Sequence, residues 1–551
     1  MGNAAIYEKS VSEYRRWLEK TEGDEDTQAE LAALKNEPEE LAESFYKSLT
    51  FGTSGIRGIL GAGTNRINRY VVRRVTKGLA SYLLSESAEP KAVISYDSRE
   101  MSEEFARLTA RALSAAGVKA YIFPVLTPVP VLSFAIRELS CDAGIMITAS
   151  HNPKIFNGYK VYNSEGYQVT GEVADDIQSR IEAVDYFDEI PESTDNIEIL
   201  SDEVGENFKL QILSEMPFNR DRGCNGELKI VYTPLNGAGR NYVSDVLSRS
   251  GFSQVTVVPS QAEPDSTFAT CPVPNPEKIT AYNEAFKVLD ETKGDIIIAT
   301  DPDSDRVGAA LIHDGTKVLI SGNQMGILML DYMTKFKEIK PDSFIVRSIV
   351  STPLVDRIAE RHGIKVIKTL TGFKYIGEII SLNDKEERDA GSCFFGFEES
   401  CGFLPVPFIR DKDGISSALL IAEMAAYYKS RGKNLMERLS EIFDEYEVCI
   451  DRSRSYAFEG LEGEEKRRQV MEFFRSDRLT LHGVAVTDKI DYLKDDTGLP
   501  KADVTELVFD TGERAIIRPS GTEPLIKVYL FVKSASSPAA EAIKKTMDAF
   551  Q

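Results

Sequence analysis

Histidine, cysteine and tryptophan are scarce in this chain of 551 residues, which contains four histidines, six cysteines and one tryptophan. The cysteines are widely spaced, without the separation of paired metal ligands, and the histidines do not cluster near them. This pattern argues against a disulfide framework and against a zinc site. It is typical of a protein kept in a reducing cytosol, so we expect a cytoplasmic location.

Long apolar runs are also missing from the sequence. No charged and then apolar segment opens the chain, and its longest apolar runs fall well short of a membrane span. The contents of 42% hydrophobic and 28% charged residues are ordinary for a globular protein, and the length predicts three to five domains. We therefore expect no membrane partner.

Positive charge is in short supply, with 65 lysines and arginines against 87 aspartates and glutamates and a net charge of -22. This excess of negative charge argues against a nucleic-acid partner. An anionic ligand would need arginines and lysines gathered in one cleft against an acidic exterior.

The periodicity of the chain predicts an α/β protein. Residues 1–50 have helical spacing, which indicates either a packed helical extension or a lid. Strand–helix alternation begins at residue 66 and restarts twice, and the last hundred residues indicate a smaller α+β domain. Ser102 is expected to cap one of the helices. The predicted domain boundaries are 1–50 for the extension, then 51–217, 218–322, 323–445 and 446–551.

A serine loop and an acidic loop each follow a predicted buried strand. Ser150 lies in Thr148–Pro153, just past the carboxyl end of its strand, where ligands favour α/β sheets. A serine hydroxyl needs a base or an activated target to act as a nucleophile, and His151 and Lys160 are candidate proton carriers. The alternative is a turn closed by serine, asparagine and proline.

The acidic loop contains carboxylates at alternate positions, Asp301, Asp303 and Asp305, with Arg306 beside them. Three carboxylate oxygens suit Mg²⁺ and leave open positions for a phosphate oxygen. An EF-hand is excluded because the sixth position has no glycine and the twelfth has no glutamate. An acidic surface turn remains the alternative.

Three further segments predict anion or sugar binding. Arg57 lies in the glycine-punctuated stretch 52–58, which is an anion loop or a plain turn. Residues 518–522 combine arginine, hydroxyls and glycine in a phosphate cradle, with Lys527 on the next strand. Glu398 and Ser400 suit sugar hydroxyls, although a solvated strand end has the same composition. Segments 371–374 and 410–414 supply nearby cations.

Together these motifs resemble those of the α-D-phosphohexomutases, which include the phosphoglucomutases and phosphomannomutases. The motifs occur in the family's order at Gly52–Gly58, Thr148–Pro153, Asp301–Arg306, Gly396–Ser400 and Arg518–Pro524. The resemblance implies three similar α/β domains and a smaller C-terminal α+β domain around a central cleft. The chain length, the N-terminal extension and segment 410–414 look more like the phosphoglucomutase and phosphopentomutase side of the family.

The resemblance also implies roles for individual residues. Ser150 would carry a phosphoryl group and, with Asp301, Asp303 and Asp305, hold Mg²⁺. Arg57, His151 and Lys160 would lie beside it as catalytic residues, and we favour Lys160 as the principal acid/base because burial and arginine neighbours could lower its pKa. The expected substrate-binding residues are Arg306, Thr371, Gly372, Lys374, Glu398, Ser400, Arg410 and Lys412. The expected phosphate-binding residues are Arg518, Ser520, Gly521, Thr522 and Lys527.

The implied activity is that of a phosphoglucomutase, which interconverts α-D-glucose 1-phosphate and glucose 6-phosphate with glucose 1,6-bisphosphate as activator and intermediate. Phosphopentomutase, phosphomannomutase, bisphosphate synthesis and a catalytically silent sugar-phosphate binding protein are the alternatives. Cys401 follows the glutamate–serine pair where dual-specificity relatives often have a histidine nearby, which weakens mannose use. Asn236 lies in a loop where many relatives have a histidine. The expected partner is a small phosphosugar, and the protein is expected to be a monomer or homodimer.

Overall fold

The computed structural model describes residues 3–52, 55–216, 218–219, 223–385, 391–446, 448–458, 460–476, 479–520, 524–534 and 536–551. The chain divides into two compact units. The first comprises Met1–Ile320, Phe373–Asp389 and Cys401–Gly432, and the second comprises Ser321–Gly372, Ala390–Ser400 and Lys433–Gln551.

The N-terminal extension is helical, as predicted, and packs on the domain that follows it. Its helices are α1 (Asn3–Lys20), α2 (Glu25–Leu34) and α3 (Pro38–Phe45). Trp17 is fully buried, and its ring makes edge contacts with Phe45, Tyr70 and Phe187 at centroid distances of 5.8, 5.3 and 5.4 Å. These contacts support the packed extension rather than the lid.

The first sheet has six strands in the order β1-β5-β4-β2-β3-β6. Its elements are β1 (Ile56–Ile59), α4 (Arg69–Glu86), β2 (Lys91–Tyr96), α5 (Ser102–Ala115), β3 (Lys119–Ile122), α6 (Val129–Glu138), β4 (Ala143–Ile147), β5 (Phe156–Asn163), α7 (Gly171–Glu182) and β6 (Ile197–Ile199). Strand β2 pairs in parallel with both β3 and β4, whereas β5 runs antiparallel to β4. The carboxyl ends of β2 and β4 therefore lie side by side.

The second sheet has five strands in the order β11-β10-β9-β7-β8. Its elements are α8 (Glu203–Glu215), β7 (Lys229–Thr233), α9 (Arg240–Arg249), β8 (Gln254–Val257), α10 (Asn283–Thr292), β9 (Ile296–Thr300), β10 (Val307–His313) and β11 (Thr316–Ile320). All residues of β9 are buried, which places the following loop at the end of a core strand. The helical segment before β9 starts as a 3₁₀ turn at Ile279–Tyr282 and becomes α10.

The third block carries mostly parallel strands. Its elements are α11 (Gly322–Phe336), β12 (Phe344–Ser348), α12 (Leu354–Arg361), β13 (Lys365–Thr369), α13 (Phe373–Asp384), β14 (Cys393–Glu398), β15 (Gly402–Leu404), α14 (Gly414–Lys429) and α15 (Leu435–Tyr446). Strand β12 pairs in parallel with β13 and β14 in the second unit. Helices α13 and α14 belong to the first unit.

The C-terminal domain is an antiparallel sheet with helices, which confirms the predicted α+β domain. Its elements are β16 (Ile450–Ala457), α16 (Gly460–Arg475), β17 (Thr480–Leu481), β18 (Val484–Asp491), β19 (Thr505–Phe509), β20 (Arg514–Pro519), β21 (Leu525–Val532) and α17 (Pro538–Phe550). The strand order is β16-β21-β20-β19-β18-β17. Ser537 caps α17 by accepting a hydrogen bond from the Ala540 N–H, and Pro538 occupies the first helical position.

The predicted α/β class is confirmed, but the predicted cap at Ser102 is wrong by one residue. Met101 is the N-cap, with φ of 66°, and Ser102 is the first residue of α5. The Ser102 hydroxyl instead donates to Asp97 Oδ1 at 2.8 Å, because that carboxylate lies at the end of the adjacent strand β2. Among the described helices, none is long and apolar enough to cross a membrane.

Candidate active site

Ser150 follows β4 in a left-handed backbone conformation, with φ of 53°. Its N–H donates to Thr148 Oγ1 at 2.8 Å, and its hydroxyl donates to Asp301 Oδ2 at 2.8 Å. His151 Nδ1 lies 3.0 Å from the same hydroxyl oxygen. The serine loop and the acidic loop, which come from different sheets, thus meet at one hydroxyl group.

A buried arginine that sequence analysis did not select holds this loop. Arg99 Nη2 donates to the carbonyl oxygens of Ser150 and Asn152, both at 2.6 Å. Arg99 Nη1 donates to those of Pro153 and Phe156, both at 3.0 Å. The available signal was the polar stretch 97–99 at the carboxyl end of β2, since parallel neighbours bring such ends together.

The acidic loop gathers Asp301, Asp303 and Asp305 after β9, and their ligand oxygens lie within 4.8 Å of one another. All three side chains are buried. Asp303 Oδ1 and Asp305 Oδ1 are buried atoms with no hydrogen-bond partner among the described residues. A cluster of hard oxygen ligands with unsatisfied acceptors fits Mg²⁺, and the alternative of an acidic surface turn is excluded by the burial.

The charges of the triad are unevenly balanced. Burial, together with the negative charges of Asp303 and Asp305, raises the pKa of Asp301 well above its usual range. Burial also acts against ionisation of Asp305, but Lys412, Lys160 and Arg306 outweigh it and lower the pKa of that carboxyl. The two lysines therefore neutralise negative charge at Asp303 and Asp305. A divalent cation would neutralise the negative charge that remains at Asp301.

The two lysines contact the triad directly. Lys160 Nζ donates to Asp303 Oδ2 at 2.8 Å and to Asp305 Oδ2 at 3.4 Å, and Lys412 Nζ lies 3.2 Å from Asp305 Oδ2. Burial lowers the pKa of Lys160, but the attraction of both aspartates exceeds this effect, so the pKa is raised overall. The expectation of a lowered pKa for Lys160 is wrong because its nearest neighbours are carboxylates rather than arginines.

Arg57 was expected beside Ser150 and contacts the serine loop, whereas Arg306, a predicted substrate-binding residue, lies at the end of the acidic loop. Arg57 Nη1 donates to Asn152 Oδ1 at 3.2 Å, and burial, followed by repulsion from Arg306 and Arg99, lowers the pKa of Arg57. Arg306 Nη1 donates to Glu277 Oε1 at 2.6 Å. Three guanidinium groups thus add the local positive charge that a phosphate requires in a chain of net negative charge.

Two of the other predicted substrate-binding cations have different surroundings. Arg410 is buried, its guanidinium pairs with Asp384, and its backbone N–H donates to Ser133 Oγ at 3.1 Å. The Arg410 guanidinium is thus engaged in an ion pair, although sequence analysis expected it to bind substrate. The substrate-binding role of Arg410 stays a prediction. Burial lowers the pKa of Lys374 to about 8.

The remaining predicted sugar and phosphate ligands belong to the second unit. The Gly372 N–H donates to Glu398 Oε1 at 2.6 Å, which fixes one oxygen of that carboxylate, and Thr371 and Ser400 are half-buried. Arg518 on β20 is paired in register with Lys527 on β21, and the Ser520 N–H donates to the Leu525 carbonyl at 2.9 Å. Gly521 and Thr522 lie outside the described residues.

The chain matches four family models in the order expected of one architecture. They are described as the alpha/beta/alpha domains I, II and III and the C-terminal domain of phosphoglucomutase/phosphomannomutase, and they match residues 48–187, 211–314, 321–446 and 481–549. Three α/β domains followed by a different C-terminal domain is also the organisation predicted from the sequence.

Curated relatives and solved structures agree with these matches. The phosphoglucomutase of Staphylococcus epidermidis is 37% identical over 507 residues, which cover 89% of this chain and 92% of that protein. A Staphylococcus aureus phosphoglucomutase is 36% identical over 513 residues, which cover 90% and 91%. The open form of Paramecium pp63/parafusin, a phosphoglucomutase, has the same fold, with a TM-score of 0.66 at 17% identity over 92% of this chain and 95% of that one. With four domain matches in order and relatives of this identity along most of its length, the chain belongs to the phosphoglucomutase/phosphomannomutase family.

Proposed function

We propose that this protein is a phosphoglucomutase that interconverts α-D-glucose 1-phosphate and glucose 6-phosphate through phosphorylated Ser150 and glucose 1,6-bisphosphate. The observation that carries the proposal is the 2.8 Å contact between Ser150 Oγ and Asp301 Oδ2, which joins a serine hydroxyl to a buried triad of carboxylates. The names of the curated relatives support the same activity.

Ser150, Asp301, Asp303 and Asp305 are the residues that would hold Mg²⁺. When bound, Mg²⁺ screens the charge between phosphoserine and the incoming phosphosugar and stabilises the charge that develops during phosphoryl transfer. Lys160 and Lys412 contribute fixed positive charge at the triad, and Arg57 adds positive charge at Asn152 in the serine loop. The guanidinium group of Arg306 is close enough to lower the pKa of Arg57 and adds to the same positive region.

The transfer requires a proton to move at each end. The bond between phosphorus and Ser150 Oγ breaks, a bond from phosphorus to the free hydroxyl of hexose 1-phosphate forms, and that hydroxyl loses its proton while Ser150 Oγ gains one. His151 Nδ1, at 3.0 Å, is placed to hold the proton at Ser150 Oγ. Lys160 has a raised pKa and therefore serves as a charged hydrogen-bond donor. The second half-reaction returns the other phosphoryl group of the bisphosphate to Ser150.

We also propose binding roles for the remaining predicted residues. Glu398 and Ser400 would bind ring hydroxyls, and Arg518, Ser520 and Lys527 would hold the non-reacting phosphate, with Gly521 and Thr522 in the same segment. We propose the domain boundaries 1–50, 51–217, 218–322, 323–445 and 446–551 for this arrangement. The enzyme is proposed to act in the cytoplasm as a monomer or homodimer.

The decisive experiment compares initial rates on glucose 1-phosphate, mannose 1-phosphate and ribose 1-phosphate with Mg²⁺ and a trace of glucose 1,6-bisphosphate. We expect kcat/KM to be highest for glucose 1-phosphate by at least about tenfold, or about 1.4 kcal/mol. A preference for ribose 1-phosphate or mannose 1-phosphate would replace the proposed substrate. Ser150→Ala should abolish turnover and leave sugar-phosphate binding intact, and full activity in that variant would overturn the phosphoserine mechanism.

A further inference from the structure

The backbone of Ser150 needs external support to keep its conformation. Its φ of 53° lies in the left-handed region, which costs a non-glycine residue free energy and persists only where the surroundings hold it. In this conformation the hydroxyl faces both Asp301 Oδ2, at 2.8 Å, and His151 Nδ1, at 3.0 Å. A relaxed backbone would turn the hydroxyl away from both groups.

Arg99 supplies much of that support. Its guanidinium donates to four backbone carbonyl oxygens of the serine loop, including that of Ser150 itself at 2.6 Å. The residue is only 3% exposed, and the ring of Phe268 lies 5.2 Å from the guanidinium carbon. Each described contact between Arg99 and the serine loop is made to the loop backbone. No described contact joins Arg99 to the Ser150 hydroxyl.

Asp97 connects Arg99 to the other side of the Ser150 residue. Asp97 Oδ2 lies 3.2 Å from Arg99 Nε and accepts a hydrogen bond from Thr148 Oγ1 at 2.6 Å. The same Thr148 oxygen accepts the Ser150 N–H at 2.8 Å. Both the carbonyl and the N–H of Ser150 are therefore tied back to one buried carboxylate at the end of β2.

We propose that Arg99, held by Asp97, is a positioning residue that keeps Ser150 in the left-handed conformation required for phosphoryl transfer. The inference rests on the proposed function, because it assumes that Ser150 gives and accepts the phosphoryl group. Misplacing a reacting atom by about 1 Å can slow a reaction by about 100-fold. Since Arg99 acts through the serine loop, its loss should affect transfer and leave sugar binding in place.

The test is the Arg99→Lys variant of the full chain, which keeps a positive charge but cannot donate to four carbonyls at once. We expect kcat to fall by about 100-fold while KM for glucose 1-phosphate stays within about twofold. Phosphorylation of Ser150 by glucose 1,6-bisphosphate, followed by intact-protein mass spectrometry, should slow by the same factor. Arg107→Lys is the matched control, because Arg107 is half exposed and pairs with Glu103 one turn away on the same helix.

A second variant separates positioning from a general structural role. Arg99→Ala leaves a space shaped for a guanidinium group, so added guanidinium chloride at low millimolar concentration should restore part of the phosphorylation rate. Sodium chloride at equal ionic strength should restore none of it. Arg99→Lys with wild-type kcat, an absence of rescue by guanidinium, or failure of Arg99→Lys to fold would each overturn the positioning role.

Ser150→Ala is measured in parallel to separate this inference from the proposed function. Activity in Ser150→Ala would remove the phosphoserine mechanism and, with it, the reason for positioning Ser150. An inactive Ser150→Ala beside a fully active Arg99→Lys would overturn the role of Arg99 alone and leave the proposed function standing.

Discussion

Lys412 Nζ lies 3.2 Å from Asp305 Oδ2, and this contact ties the segment before α14 to the acidic loop. The Gly414 N–H donates to the Ser304 carbonyl at 3.1 Å, and a side chain at Gly414 would come within 2.6 Å of the same carbonyl oxygen. Segment 410–414 therefore packs against the acidic loop of the candidate metal site, in addition to any contact with substrate.

Replacing Lys412 with methionine should destabilise the protein by about 3 kcal/mol, because it removes a buried positive charge from a carboxylate. Saturating Mg²⁺ should recover part of the loss, because a triad that lacks one lysine gains more stability from the cation than the wild-type triad does. Urea unfolding with and without Mg²⁺ measures both effects.

The matched control for this variant is Lys429→Met. Lys429 also pairs with an aspartate, Asp295, but its side chain is 39% exposed. The control should lose less than about 1 kcal/mol, and its difference from wild type should be the same with and without Mg²⁺. Equal losses in the two variants would show that Lys412 does not stabilise the triad.

Asp301→Asn should weaken Mg²⁺ binding by at least about tenfold while maintaining or increasing stability in EDTA. The pKa of Asp301 is raised by burial and by its acidic neighbours, so its ionised form destabilises the folded state at neutral pH. Asparagine removes that charge. Calorimetric Mg²⁺ titration and urea unfolding in EDTA check the two expectations.

Asp303→Asn provides the contrast, because Asp303 Oδ2 accepts a hydrogen bond from Lys160 Nζ at 2.8 Å. That variant should lose both Mg²⁺ affinity and stability in EDTA, since it leaves a buried lysine less well compensated. If Asp301→Asn were destabilised in EDTA as much as Asp303→Asn, the uneven charge balance of the triad would be refuted.

Local sequence patterns were sufficient to predict most elements and the two loops. Ser150 and Asp301 each follow a short apolar strand, and a position just after such a strand is visible without tertiary information. The alternation of strands, such as Lys91–Tyr96, with helices predicted the α/β class.

Contacts between distant segments could not be predicted in the same way. The hydrogen bonds from Arg99 to the Ser150 loop form because β2 and β4 are parallel neighbours. Local sequence patterns do not indicate which strands pair. The raised pKa of Lys160 depends on whether carboxylates or arginines lie closer to Nζ. The pairing of Arg410 with Asp384 likewise depends on how α13 packs within the first unit.

Asp413 should make the protein less stable as the pH rises from about 4 to 6. Burial raises the pKa of this carboxyl from 3.8 to about 6, and its Oδ1 accepts the Ile415 N–H at the start of α14. Protonated Asp413 contributes fully to the stability of the folded state below the unfolded-state pKa. This contribution to the free energy of unfolding, about 3 kcal/mol at most, is lost as the pH rises through the folded-state pKa.

Asp413→Asn is the test, because the amide oxygen can still accept the Ile415 N–H without a charge. The variant should be more stable than wild type at pH 7, and the two should converge near pH 4. Urea unfolding at several pH values measures this difference in the free energy of unfolding. A constant difference across the range would contradict the assignment to Asp413.

His151→Ala should lower kcat by about 100-fold or more, because it removes the group placed to hold the proton at Ser150 Oγ. His151 Nδ1 lies 3.0 Å from that oxygen, whereas Lys160 Nζ donates to a carboxylate of the triad. The pH–rate profile of the variant should lose one limb, and KM for glucose 1-phosphate should change little.

His362→Ala, at an exposed C-cap on α12, should leave kcat and the profile unchanged. A His151→Ala enzyme with kcat within about threefold of wild type would transfer the proton role to another group, and Lys160 would then be the first residue to test.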